Sequence, residues 1–189
     1  MVIETVVTTL DSTGEPNFAA MGVVWSADTV TIRPFTNTRT HRNLVRYGEA
    51  VVNVTDNVLI FARSALSRER FEHVPARRVR GVILKDTCAW REVVVEKVSD
   101  PTEPGGAPQR AEVVTRVVGS GEFRPFAGLC RAKHAVVEAS ILASRLRLLP
   151  LDEVTRELQK LDAIVEKTGG AEERDAMAFI RGYVARKTA

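Results

Sequence analysis

Ile3-Glu4-Thr5-Val6-Val7-Thr8-Thr9-Leu10, closed by Asp11-Ser12-Thr13-Gly14-Glu15-Pro16, is the stretch on which the fold reading turns. β-branched side chains dominate its first part. They are stiff at χ1 and suit a pleated surface better than a helix. The Asp/Ser/Gly/Pro cluster that follows is a turn signal. Working outward, Asn17 to Ser26 is apolar with small residues and meets a short Ala27-Asp28 turn. Thr29-Val30-Thr31-Ile32-Arg33-Pro34-Phe35 then alternates Thr with apolar residues. Three such runs joined by short turns predict an antiparallel meander.

Further along, the spacing predicts a short helix over His41 to Tyr47, with Thr40 as N-cap and Gly48 past its end. Ala50 to Thr55 reads as another strand, and Asp56 is placed to cap a helix running to Leu66. Val79 to Lys85, Trp90 to Val98 and Ala111 to Phe123 read as strands, and Asp100 to Pro108 as an exposed loop. Cys130 to Leu149 carries an Ala-rich helical stripe, Pro150 breaks it, and two more helices follow around Gly169-Gly170. Strands first and helices last is an α+β order rather than alternating βα units. Several short antiparallel strands interrupted by short helices point to a small β-barrel. The expected division is a barrel over 1–126 and a C-terminal helical segment over 127–189.

Composition sets the outer limits. The chain has 189 residues, 44% hydrophobic and 27% charged, which fits one globular domain with an appended helical part and excludes collagen-like or disordered classes. No apolar run approaches the roughly 18–20 residues of a membrane span, and Met1 to Thr5 lacks the basic start of a secretory signal. Cys88 and Cys130 fit a reduced, cytoplasmic protein. The 27 basic residues comprise 21 Arg and 6 Lys. Arg33, Arg39, Arg42 and Arg46 fall in one stretch without an acid. Six more lie between Arg63 and Arg80, a stretch that reads either as a substrate-anion site or as a solvated face. A net charge of +3, 6% aromatics and no recognisable motif argue against nucleic acid as a partner.

Familiar catalytic signatures are missing. His41, His73 and His134 are isolated, so no metal site is expected. There is no Gly-x-Ser-x-Gly elbow, no phosphate loop and no Gly-x-Gly-x-x-Gly. Cys130, beside Arg131 and Lys133, is either a stabilised thiolate at a helix start or a small packed thiol. The strongest constellation is Arg33-Pro34-Phe35-Thr36-Asn37-Thr38-Arg39-Thr40-His41-Arg42-Asn43-Leu44. Alternate hydroxyls at Thr36, Thr38 and Thr40, a helix N-terminus and nearby guanidinium groups together favour an anion such as a phosphate monoester. The bland alternative is that these threonines only line a strand and cap a helix. The next strand, Val51 to Thr55, either offers main-chain groups and the Asn53 amide to a flat heterocycle or is an ordinary core strand.

Taken in order, these segments resemble a known family. Ile3 to Thr9, Asn17 to Gly22, Thr31-Ile32-Arg33-Pro34-Phe35, Thr36-x-Thr38-x-Thr40, Asn43-Leu44 and Ala50 to Asp56 are similar to the DUF447 family of FMN-binding split-barrel flavoproteins. Arg124-Pro125-Phe126, Arg131 to Ala139 and Ile164 to Gly170 resemble its helical tail. One departure is visible at Leu129-Cys130-Arg131-Ala132, where the family often carries Phe-Asn-Arg-Ala. The resemblance implies a six-stranded, antiparallel, Greek-key split β-barrel with short inserted helices and a C-terminal helical segment, assembled as a homodimer. It implies FMN as cofactor. It puts Arg33, Thr36, Thr38, Thr40 and Asn43 at the phosphate and ribityl chain, and Val52, Asn53 and Val54 beside the ring. It also implies that the stretch from Arg124 through Cys130 to Lys133 closes the site, either within one subunit or from the partner subunit. Superfamily relatives include flavin reductases and pyridoxamine-phosphate oxidases. The implied function is hydride or electron transfer through flavin N5 to a small-molecule substrate, with a pterin or one-carbon compound as candidate. The alternative is a non-catalytic flavin-binding or carrier module.

Overall fold

The computed structural model describes residues 1–101, 109–126 and 130–188. Thr102 to Pro108 of the expected loop and Leu129 therefore lie outside the described residues. The chain divides into two compact units, 1–55 with 70–125, and 56–69 with 126–189. The Asp56–Glu69 segment thus groups with the helices, although its sequence position is inside the barrel half.

The first unit is a closed antiparallel barrel. Its strands are β1 (Val2–Leu10), β2 (Pro16–Trp25), β3 (Thr29–Ile32), β4 (Glu49–Val54), β7 (Ala89–Ser99) and β8 (Glu112–Glu122), in the order β1-β2-β3-β8-β7-β4. Three consecutive strands with the fourth returning beside the first is a Greek key. Helix α1 (Arg39–Tyr47) links β3 to β4, and a hairpin of β5 (His73–Pro75) with β6 (Val82–Leu84) precedes β7. The β1–β2 turn is built by Asp11, whose carboxylate accepts from Thr13 N–H and Oγ1 and from Glu15 N–H. Those hydrogen bonds, Thr13 foremost, hold its carboxyl below the usual range.

Val7, Val23, Val30, Ile32, Val52, Val93 and Val113 fill the barrel, and Leu44 of α1 reaches into the same core. Alternation in β1 is blurred because both of its faces are covered. Thr5, Val7 and Thr9 share one face with the barrel core; Val6 and Thr8 share the other, where Thr8 Oγ1 donates to the Val82 carbonyl of β6. The β5–β6 hairpin forms a second layer over β4 and β7, with Val51, Val79, Ile83 and Trp90 between. Gly121 makes room for this layer, since a Cβ there would sit 2.4 Å from the Trp90 ring.

Several local expectations are corrected. Regular pairing of β3 ends at Ile32, because Pro34 has no N–H to donate, and Phe35 keeps only an isolated bridge to Arg110. The N-cap of α1 is Thr38, not Thr40. Thr38 is extended (φ −90°, ψ 161°) and its hydroxyl accepts from His41 N–H, whereas Thr40 is already helical. Asn57, not Asp56, caps α2 (Val58–Leu66) by accepting from Ile60 N–H. The strand expected over Val79 to Lys85 shrinks to Val82–Leu84, because Val79 N–H donates to the Glu92 carboxylate instead.

The second unit contains α2, α3 (Arg131–Ser144), α4 (Leu151–Thr168) and α5 (Ala171–Thr188). Helix α3 stops at Ser144 rather than at Leu149. Ala132, Ala135, Ala139 and Ala143 give α3 a smooth face packed with Val58 and Ala62 of α2, Val154 and Leu158 of α4, and Met177 and Ile180 of α5. A polar knot joins the helix starts. Lys133 Nζ donates to the Asp56 carbonyl at 2.6 Å and lies 3.8 Å from the Asp56 carboxylate and 4.0 Å from that of Glu173. Both acids are buried. Glu172 accepts from Val58 N–H in the first turn of α2. Among the described residues no helix is long and apolar enough to cross a membrane.

Lys133→Met is expected to lower stability by about 3 kcal/mol, because it removes the ammonium group beside two buried carboxylates. Urea unfolding checks this; a loss under about 0.5 kcal/mol, the range of an ordinary surface substitution, contradicts it.

Candidate functional site

The segment from β3 into α1 keeps its character in three dimensions. Chain direction changes at Phe35 to Thr38, where Thr36 N–H donates to the Gln109 carbonyl and Thr38 N–H to the Phe35 carbonyl. The Thr38 hydroxyl donates to the same Phe35 carbonyl at 2.7 Å while it caps the helix. Its one O–H donor is therefore used in shaping the turn. Arg39 and Thr40 occupy the first helical positions, whose N–H groups have no intrahelical acceptor. These N–H groups and the positive end of the helix are the natural seat of an anion.

The individual residues divide. Thr36 is half-buried, and among the described residues no group engages its hydroxyl. Thr40 is buried and accepts from the Asn17 amide at 3.1 Å. Asn43 is buried and donates to Thr9 Oγ1 at 3.0 Å, tying α1 to β1. Arg33 directs Nε and Nη2 at one oxygen of Glu112, at 3.2 and 2.9 Å, so its charge already has a partner. Arg39 and Arg42 lie in the helix start itself. Arg42 reaches back to the Asn37 carbonyl at 3.1 Å. Among the described residues no carboxylate forms an ion pair with either. Their position in the first turn was the signal for them; Arg33 drew attention because it stands beside the threonines.

The residues expected beside the ring, Val52, Asn53 and Val54, lie on β4. Strand β4 is not an edge. It pairs with β1 from Val51 to Asn53 and with β7 from Glu49 to Val54. The Val52 side chain is in the barrel core. Asn53 is fully buried; its amide donates to the Val6 carbonyl at 2.9 Å and accepts from Leu84 N–H at 3.0 Å. The Val52 and Asn53 side chains are thus both engaged within the protein. Val54 is half-buried, and its carbonyl accepts from Cys88 N–H and Thr87 Oγ1.

Cys130 and Lys133 belong to the helical unit. Cys130 occupies the N-cap position of α3 without a side-chain cap bond and packs against that unit's core. Lys133 is held in the Asp56–Glu173 knot.

The barrel and its helices have solved counterparts. An FMN-bound protein from Methanosarcina mazei, itself matched to the DUF447 model, is 22% identical and superposes with a TM-score of 0.78 over 96% of this chain and 94% of that one. Nitrilotriacetate monooxygenase component B from Bacillus cereus is 17% identical, with a TM-score of 0.55 over 63% of this chain and 68% of that one. An NADH:FAD oxidoreductase from Streptomyces globisporus C-1027 is 15% identical, with a TM-score of 0.52 over 66% of this chain and 86% of that one. These likenesses establish the split-barrel fold. At the sequence level, the model described as "Protein of unknown function (DUF447) N-terminal domain" matches residues 3–121, and "Protein of unknown function (DUF447)" matches residues 130–182. With both models matched in order along most of its length, the chain belongs to the DUF447 family.

Proposed function

We propose that this protein is an FMN-binding flavoprotein acting as an oxidoreductase on a small molecule. The observation that carries the reading is the first turn of α1. It combines main-chain N–H groups at Arg39 and Thr40, the Thr36 hydroxyl and the Arg39 and Arg42 side chains, in a family with an FMN-bound member of the same fold. A phosphate monoester has three acceptor oxygens and suits this donor set. Thr38, Thr40 and Asn43 act one step back: Thr38 shapes the turn, and Thr40 and Asn43 anchor α1 to β2 and β1.

When bound, FMN supplies hydride and electron transfer, which accounts for the lack of an acid–base dyad in the sequence. The protein's part is to bind the phosphate, orient the cofactor and shape the substrate face. A pterin or one-carbon compound remains our candidate substrate, and a homodimer in the cytoplasm our expected state. The names of two structural neighbours, a monooxygenase component and an NADH:FAD oxidoreductase, support redox chemistry over a passive carrier.

Purified protein titrated with FMN is expected to quench flavin fluorescence and to give a bound-flavin visible spectrum. Reduction by NADH or NADPH under anaerobic conditions separates an enzyme from a carrier. Absence of flavin binding by the folded protein overturns the proposal.

Substitutions locate the phosphate. Arg42→Ala is expected to weaken FMN binding about tenfold, the scale of one lost charge-assisted hydrogen bond. Arg33→Ala should matter less, since Arg33 is paired with Glu112. The opposite ranking of dissociation constants would move the phosphate towards β3.

A further inference from the structure

The second arginine-rich stretch is not one uniform face. Arg63 pairs with Glu69 and Arg70 with Glu15. Arg68 is exposed and in no ion pair among the described residues, and so are three arginines further on, Arg77, Arg78 and Arg80. These three are exposed on the loop between β5 and β6, and among the described residues no carboxylate forms an ion pair with them or with Arg46 at the end of α1.

This loop is built, not slack. Glu92 of β7 is 2% exposed, and its carboxylate accepts main-chain N–H bonds from Arg77, Arg78 and Val79. One buried carboxylate thus organises three consecutive peptide groups, and its hydrogen bonds go to the main chain rather than to guanidinium groups. Arg78 is positioned by β8: a Cβ on Gly119 would come within 3.1 Å of its Cγ, so its stem lies against bare backbone. The Arg46 and Arg80 guanidinium carbons each lie 5.3 Å from the centroid of the Tyr47 ring. They are therefore within twice that distance of one another.

Two like charges on one ring repel one another. An exposed cation–π contact contributes only about 0.5–1 kcal/mol, and the C-terminal end of α1 offers roughly half a negative charge. These terms steady the arginines without saturating them, and the planar guanidinium donors of Arg46 and Arg80 still face solvent. Guanidinium forks match phosphate and carboxylate oxygens.

We propose that Arg46, Arg78 and Arg80 form a second anion site, which takes a small molecule bearing two or more phosphate or carboxylate groups. It is separate from the α1 N-terminal cradle. The two ends of this nine-residue helix are roughly 12 Å apart along its axis, beyond the reach of one phosphate group. The site does not depend on the flavin reading.

Isothermal titration calorimetry of the full chain at low salt tests it, with pyrophosphate and citrate as probes and sulfate as the simple-ion control. At least one probe should bind more tightly than sulfate, and the preferred probe tells phosphate from carboxylate chemistry. The Arg46→Gln/Arg80→Gln variant should lose that binding at least tenfold, with its circular dichroism and FMN titration unchanged. Arg78→Gln, at an exposed loop position, should weaken it in the same direction. The proposal is overturned if neither probe outcompetes sulfate, if the double variant binds as the parent does, or if FMN displaces the probe competitively. A protein that binds the probe but no FMN would refute the flavin reading alone.

Discussion

Double-sided burial of β4 is the constraint from which most of this structure follows. Its inner face supplies Ala50 and Val52 to the barrel, and its outer face lies under the β5–β6 hairpin. A strand in that position has no water on either face to satisfy an unpaired polar group, so any polar side chain there must find its partners within the protein. Asn53 meets this by bonding to both β1 and β6, and Thr8 bonds to β6 from the same layer. The outer layer is stitched to the barrel by these amide and hydroxyl groups, and by Glu92 through the main chain of the preceding loop.

That rigid wall gives α1 a firm mount. Leu44 enters the barrel core, while Asn43 and Thr40 bond to residues of β1 and β2. One helix end presents N–H groups, and at the other Arg46 shares the Tyr47 ring with Arg80 of the β5–β6 loop. Opposite ends of a single short helix thus display two kinds of donor: main-chain dipoles at one, side-chain charge at the other. The buried polar residues of α1 serve the mount.

Much of the barrel was legible in the sequence because β-branched runs and turn residues mark local preferences. The runs at Ile3 to Leu10 and Trp90 to Val98 lie within long strands, and Ala111 to Phe123 overshoots β8 by one residue at each end. The β5–β6 hairpin was not legible as such; three-residue strands acquire their identity from the surface they cover. Thr38 and Thr40 are equally good cap residues by type, and only the extended backbone at Thr38 decides between them. Asn53 shows the same limit in another form. A polar residue in a strand advertises a hydrogen bond but not its partner, and here the partners are main-chain groups distant in sequence. The arginines of the 63–80 stretch look alike in one dimension, whereas pairing with Glu69 and Glu15 sorts them in three.

The placement of α2 has a consequence for how the molecule is made. Its residues are encoded between two barrel strands, yet Val58 and Ala62 belong to a core completed by α3, α4 and α5. During synthesis from the N-terminus, this helix leaves the ribosome well before the surfaces that cover it. Until the last third of the chain emerges, its apolar stripe must wait uncovered. A nascent chain halted near residue 126 would carry every barrel strand together with an orphaned helix, a natural target for chaperones and for association between incomplete chains.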